Sequence, residues 1–245
     1  PLTLADPLGM SGHAAMSSSY ISNWEEEHKT AQEYLAQVAD GLHVKGLDAQ
    51  TEIVDGDPAS CIVHYCEQHP EVAMVAMATH GRTGIGRWVL GSVAEKVLHA
   101  SPVPLLMVRA GKGSIAHLTD YRTITVPLDG SPFAEQALEQ ARTLASSLDA
   151  TLVLVTALPD YPEATVIAGP PEGAARIEDD TSGVLAYLEE TAQGLREEGL
   201  VVEIRVECGP PADSILKANE AANGDLIVMS THGRSGLPRM WLGSV

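Results

Sequence analysis

The sequence predicts an α/β fold built as two tandem, doubly wound parallel sheets. Short apolar runs of strand length alternate with longer stretches whose apolar residues keep helical spacing. "TITVPLDG" (123–130), "SPFAEQALEQARTLASSL" and "TLVLVTAL" (151–158) form one such passage. The alternation recurs at an offset of about 153 residues: "YLAQVADGL" (34–42) matches "YLEETAQGL" (187–195), and "VAMVAMATHGRTG" (72–84) matches "DLIVMSTHGRSG" (225–236). One loop is spelled almost identically twice, as "THGRTGIGRWVLGSV" from Thr79 to Val93 and "THGRSGLPRMWLGSV" from Thr231 to Val245. Strands alternating with helices form parallel sheets covered on both faces. Self-similarity at a fixed offset marks a duplicated unit.

In chain order, residues 22–42 read as a helix. Ser22 and Glu25 suit a capping box, and Glu25, Glu26 and Glu27 make a charged first turn. Tyr34, Leu35, Val38 and Leu42 give the apolar stripe. "VDGDPAS" (54–60) leads into a second helix that carries Cys61 and Cys66. An apolar strand then runs into the loop at Thr79. The helix "SVAEKVLHA" and the strand "PLLMVR" (104–109) follow, and the prolines before that strand suit a sheet edge. Residues 111–120 read as a linker.

The second copy opens with the strand at 123–130. Ser131 suits the N-cap of the next helix and Pro132 its first position. Ala134, Ala137, Leu138, Ala141, Leu144 and Ala145 form its buried stripe. After the strand at 151–158, a polar loop bearing Pro and Gly extends to about Asp180. A helix with Leu185, Leu188, Ala192 and Leu195 comes next, then the alternating strand "VVEIRVECG" (201–209). The helix "PPADSILKANEAA" opens on prolines, and "DLIVMS" (225–230) is the last strand.

The domains are therefore 1–110 and 121–245, joined by 111–120, and both copies are incomplete. The first lacks its opening strand–helix–strand, and the second lacks its last helix and strand. A truncated sequence accounts for this; the alternative is that the halves complement each other in one shared sheet.

Composition narrows the function. Apolar residues make up 44% of the chain, with a single Phe, and the net charge is −18. Such a surface repels nucleic acid and anionic lipid, so neither nucleic acid nor membrane is an expected partner. A small anion remains acceptable, because backbone N–H groups can build a locally positive pocket. Cys61, Cys66 and Cys208 read as buried thiols in a reducing cytoplasm, without metal-ligand spacing.

The repeated loop follows a strand and precedes a helix. Gly81, Gly84, Gly86 and Gly91 allow backbone shapes that a Cβ forbids. Such a loop can turn its N–H groups inward as a phosphate cradle beside the helix N-terminus. The plainer reading is a glycine-rich connection with a capped helix. The loop exceeds the usual two to six residues, and it keeps an Arg, Arg82 or Arg234, at one offset. Ser92 serves as helix cap or as phosphate donor. No Walker lysine is present and no G-x-G-x-x-G fingerprint fits. His80 and His232 have no evident catalytic partner and read as loop-shaping residues.

These residues resemble the universal stress protein family of ATP-binding type. The carriers are Thr-His followed by Gly-x9-Gly-Ser, from Gly81 to Gly91-Ser92 and from Gly233 to Gly243-Ser244. The family's motif opens on a further glycine, which is Ala78 in one copy here and Ser230 in the other. Pro238 removes one N–H from the second loop. The resemblance covers almost the whole chain and implies a Rossmann-like, adenine-nucleotide-hydrolase-like sheet of strand order 3-2-1-4-5. A crevice opens where the winding direction reverses, beyond strands 1 and 4.

The resemblance also implies a site. Pro127 and Asp129 would line the adenosine end, with Asp129 on polar groups of ribose or adenine; alternatively Asp129 only caps the next turn. Ala157 would meet adenine. Ser230, Thr231, His232, Gly233, Arg234, Ser235, Gly236, Gly243, Ser244 and Val245 would surround ribose and phosphates. The first copy retains a partial site: Ala78, Thr79, His80, Gly81, Arg82, Thr83, Gly84, Gly91, Ser92 and Val93. The expected ligand is ATP, with Mg2+ held through its phosphates, in a cytoplasmic stress-response sensor or regulator with at most slow hydrolysis. A pseudo-dimer of tandem domains or a homodimer, paired through the last strand, and an unidentified regulatory protein complete the expected partners. The rival reading is an interaction scaffold of the same fold that does not use nucleotide.

Overall fold

The computed structural model describes residues 18–79, 90–108, 121–159 and 172–231. The chain divides into two compact units, residues 1–65 and 66–245.

The first unit holds helix α1 (Ser18–His43) and the start of helix α2 (Pro58–Gln68). α1 begins before Ser22, so Ser22 lies inside the helix and cannot cap it, and Glu25–Glu27 are past the first turn. The stripe expected to be buried is also displaced. Ala39 is buried, whereas Tyr34 is 61% exposed and Val38 42%. Trp24 lies over His28 with ring centroids 4.0 Å apart, and the His28 Nε2 pairs with the Asp55 carboxylate at 2.9 Å. Asp57 caps α2, its carboxylate accepting from the Ser60 N–H and hydroxyl. Residues 47–55 form no strand.

The second unit holds the rest. Strand β1 (Val75–Ala78) pairs in parallel with β2 (Leu105–Val108), joined through helix α3 (Ser92–Ala100). A separate sheet is built from β3 (Thr123–Pro127), β4 (Thr151–Leu158), β5 (Val202–Cys208) and β6 (Leu226–Ile227), all parallel. Its strand order is β5-β4-β3-β6. In the numbering of the repeat that is 3-2-1-4. The strands of the two halves thus sit in separate sheets, not in one shared sheet.

Helices α4 (Pro132–Leu148), α5 (Glu172–Glu197) and α6 (Pro211–Ala221) connect these strands. The Ser131 hydroxyl accepts from the Ala134 N–H at 3.1 Å and Pro132 opens the helix, as its sequence predicts. Alternation along β4 sends side chains to both faces. Leu152 and Leu154 join the core beneath α4 and α5, with Ala137, Ala141, Leu188 and Ala192. Val155 packs on the other face against Ile215 and Ala218 of α6. Both faces are covered, which is why β4 reads as a continuous apolar run.

Three sequence expectations shift. α5 begins at Glu172, about two turns before the loop was expected to end, because Ala, Arg and Glu there favour helix. Leu185 is exposed while Val184 packs on the core. The last strand is only Leu226–Ile227, although the Val228 N–H still reaches the Thr125 carbonyl at 2.9 Å.

Candidate functional site

β3 and β6 are neighbours, with Ile124 opposite Leu226 and Thr125 opposite Ile227. Their carboxyl ends therefore emerge side by side, the first leading to Pro127–Asp129 and the second to Ser230–Thr231. This adjacency is latched at the opposite end. The Asp225 carboxylate accepts from the Arg122 and Thr123 N–H groups at 2.8 and 3.0 Å. Behind β3, the buried Thr125 hydroxyl donates to Asn219 Oδ1 at 2.8 Å, and the Asn219 amide donates to the Gly224 carbonyl at 3.0 Å.

The turn after β3 is tightly defined. Leu128 donates its N–H to the Val155 carbonyl and accepts the Thr156 hydroxyl at its own carbonyl, both at 2.8 Å. Gly130 has φ +78°, a conformation that favours glycine. Asp129 is exposed, and its Oδ1 accepts from the Ser131 N–H at 2.9 Å. The turn-capping role is thus real.

The ends of β4 and β5 form a cleft of about 410 Å3, lined by Ala157, Leu158, Pro159, Gly209, Pro210 and Pro211. Ala157 is among the residues that the resemblance implies for the site; Gly209-Pro210-Pro211, directly after an alternating strand, are cleft residues that the resemblance does not imply. At the start of α4, the Tyr187 hydroxyl donates to Glu135 Oε1 at 2.9 Å. Burial, then this bond and the charges of Glu135 and Asp129, push the Tyr187 pKa up to about 12. Outside the cleft, the hydrogen bond to Glu207 raises the Lys217 pKa.

The Gly91 N–H donates to the Thr79 carbonyl at 2.9 Å, and the Thr79 N–H donates to Val108 at 3.0 Å. The two ends of the glycine loop are thereby tied together, with the N-terminus of α3 beside the end of β1. Gly91 is the N-cap of α3 and makes no side-chain cap bond. Ser92 is the first helical residue, so the expectation that Ser92 caps the helix is corrected. Ala78 and Val93 lie at the ends of the same segment.

Of the remaining expected residues, His80, Gly81, Arg82, Thr83 and Gly84 lie outside the described residues. So do His232, Gly233, Arg234, Ser235, Gly236, Gly243, Ser244 and Val245. Cys61 is half-buried in α2 and Cys66 buried, but Cys208 is exposed, contrary to expectation; all three are free thiols. No group of three or more His, Cys, Asp or Glu among the described residues could hold a metal. No described helix is long and apolar enough to cross a membrane.

An open parallel sheet whose winding reverses between β3 and β6 defines an α/β, Rossmann-like protein. The model of the Universal stress protein family matches residues 3–109 and again 120–245. The chain belongs to that family, with two tandem domains. It is 30% identical over 256 residues to a universal stress protein of Mycolicibacterium smegmatis, covering 100% of this chain and 82% of that protein. A universal stress protein of Mycobacterium tuberculosis is 30% identical over 213 residues, covering 86% of this chain and 68% of its own length. Among solved structures, a universal stress protein from Archaeoglobus fulgidus aligns with a TM-score of 0.60 at 25% identity, covering 87% of this chain and 71% of that one.

Proposed function

We propose that this chain is a nucleotide-dependent stress-response sensor or regulator that binds ATP at the carboxyl ends of β3, β4 and β6. The observation that supports this reading is the β3–β6 adjacency, from which Asp129 and Ser230–Thr231 would face one crevice. The residues present fit an adenine nucleotide. The apolar cleft at Ala157 suits the face of a base, and the exposed Asp129 carboxylate can accept from ribose hydroxyls or an exocyclic amine.

The repeat supplies the phosphate end. Thr231 and Gly243 correspond to Thr79 and Gly91, whose backbone bond closes the first loop against a helix N-terminus. Closed likewise, residues 231–236 with Gly243 and Ser244 would offer N–H groups to phosphates. Val245 would follow directly, and Mg2+ would be carried by the phosphates. The first copy has no described counterpart of the Pro127–Asp129 strand end, so Ala78 to Gly84 and Gly91 to Val93 make a partial site only. Neither a Walker lysine nor an evident general base supports efficient turnover, so hydrolysis is at most slow. Three free thiols suit a reducing cytoplasm. The exposed Met107 and Val108 on β2 suit pairing between domains or between chains.

The test is retention of nucleotide by the purified protein, read by absorbance and mass. Gly233→Trp should abolish retention and Gly81→Trp should leave it intact. A second reading, a scaffold that does not use nucleotide, is favoured by Ala78 and Ser230 standing where the family motif has glycine. Absence of retained nucleotide, with a melting temperature indifferent to added ATP, would establish that second reading.

A further inference from the structure

We propose that Thr156 is a positioning residue of this site, its hydroxyl fixing the turn that presents Asp129. The proposal rests on the nucleotide reading above and adds a residue to it.

Thr156 lies in the row Leu152, Leu154, Thr156 and Leu158, which alternation places on one face of β4. The three leucines are buried, and Thr156 is only 7% exposed among them. A hydroxyl in such a row is costly unless it finds a partner. Here it donates to the Leu128 carbonyl at 2.8 Å, across 28 residues of sequence. β3 has already ended at Pro127, so this bond does not belong to the strand ladder. With the Leu128 N–H on the Val155 carbonyl, the residue preceding Asp129 is held by β4 at both of its backbone groups.

Beyond Leu128, the Asp129 carboxylate is tied to the Ser131 N–H at 2.9 Å. Asp129 therefore sits between two fixed points, the Leu128 carbonyl and the first cap of α4. The next residue along β4, Ala157, lines the cleft. Thr156 thus couples the base-facing wall to the carboxylate-bearing turn. The other buried threonine of the sheet, Thr125, provides a contrast. Its hydroxyl bonds Asn219 on α6, not the Leu128 carbonyl.

The experiment titrates Mg-ATP into the whole protein by calorimetry and follows amide exchange by NMR. Thr156→Val keeps the shape and removes the hydroxyl, and should raise Kd about tenfold. It should also speed exchange of the Leu128 and Ser131 amides. Thr156→Ser restores the donor and should return Kd to within about twofold of wild type. Thr125→Val removes an equally buried hydroxyl and should leave the exchange of those two amides unchanged.

If Thr156→Val binds Mg-ATP as wild type does, the proposal is overturned while the nucleotide reading stands. If the wild type binds no nucleotide, that reading falls. Exchange then decides the positioning role, and unchanged Ser131 protection in Thr156→Val overturns it. Should the valine variant not fold, Thr156→Cys, with its weak thiol donor, reads the same loss at smaller amplitude.

Discussion

Helices α1 and α5 are each 26 residues long and occupy equivalent places in the repeat, yet they are buried very differently. Tyr34 corresponds to Tyr187, Leu35 to Leu188 and Ala39 to Ala192. In α5, Leu188 and Ala192 are fully buried over β4 and β5, and the Tyr187 hydroxyl reaches Glu135 on α4. In α1, Ala39 is buried, Leu35 is half-exposed and Tyr34 stands open. Among the described residues the first copy has no strand equivalent to β3, β4 or β5. An apolar stripe specifies a helix, but a sheet must be present to bury it. The same lesson explains residues 47–55, which match the β5 region without forming a strand. A parallel edge strand exists only through its neighbour.

The largest effect expected from this comparison is at the paired leucines. Leu188→Ala empties a fully buried position and should cost about 2–5 kcal/mol. Leu35→Ala, at the equivalent place, should cost less than about 1 kcal/mol. Urea denaturation of the two variants measures both. Equal losses would mean that α1 is packed as tightly as α5, and the contrast between the copies would fail.

A smaller effect sharpens the contrast at the next helix. Cys66 in α2 and Ala218 in α6 are both buried. Beside Ala218, Asn219 joins Thr125 to Gly224. A Cβ on Gly224 would run into the Asn219 amide. Gly224→Ala should therefore cost about 1–3 kcal/mol by thermal or urea unfolding. Asn219→Leu should cost a similar amount, because it leaves the buried Thr125 hydroxyl unpaired. Full stability in both variants would show that the latch contributes nothing.

Much of the second copy was legible from residues. β4 was readable to its exact ends because a strand buried on both faces is apolar throughout. The cap at Ser131-Pro132 was readable because its chemistry is local. The capping box at Ser22 was not, since several serines precede it and any could start the helix. Of the candidate site, the strand ends were legible, since Asp129 follows β3 and Ala157 lies near the end of β4; the tie between Thr79 and Gly91 was not, because it is a backbone bond across the loop. Thr156 was not, because one hydroxyl in an apolar row announces no partner. Its meaning appears only when β3 and β4 are brought together across 28 residues.

The smallest effect concerns the two corresponding tyrosines and depends on pH. Tyr187→Phe removes one partly exposed hydrogen bond to a carboxylate, worth less than about 1 kcal/mol. Burial, Glu135 and Asp129 raise the folded-state pKa of Tyr187 from 10.0 to about 12. The folded protein therefore holds this proton more tightly than the unfolded chain does. The stabilisation is whole below pH 10 and is lost as pH rises towards about 12. Wild type should thus exceed Tyr187→Phe in urea midpoint at neutral pH, and the gap should close through that alkaline window. Tyr34→Phe should leave the midpoint unchanged throughout, because its ring and hydroxyl face solvent. A Tyr187 gap that stays constant across the window would show that the phenol is not held by Glu135, and that α5 is anchored to α4 by packing alone.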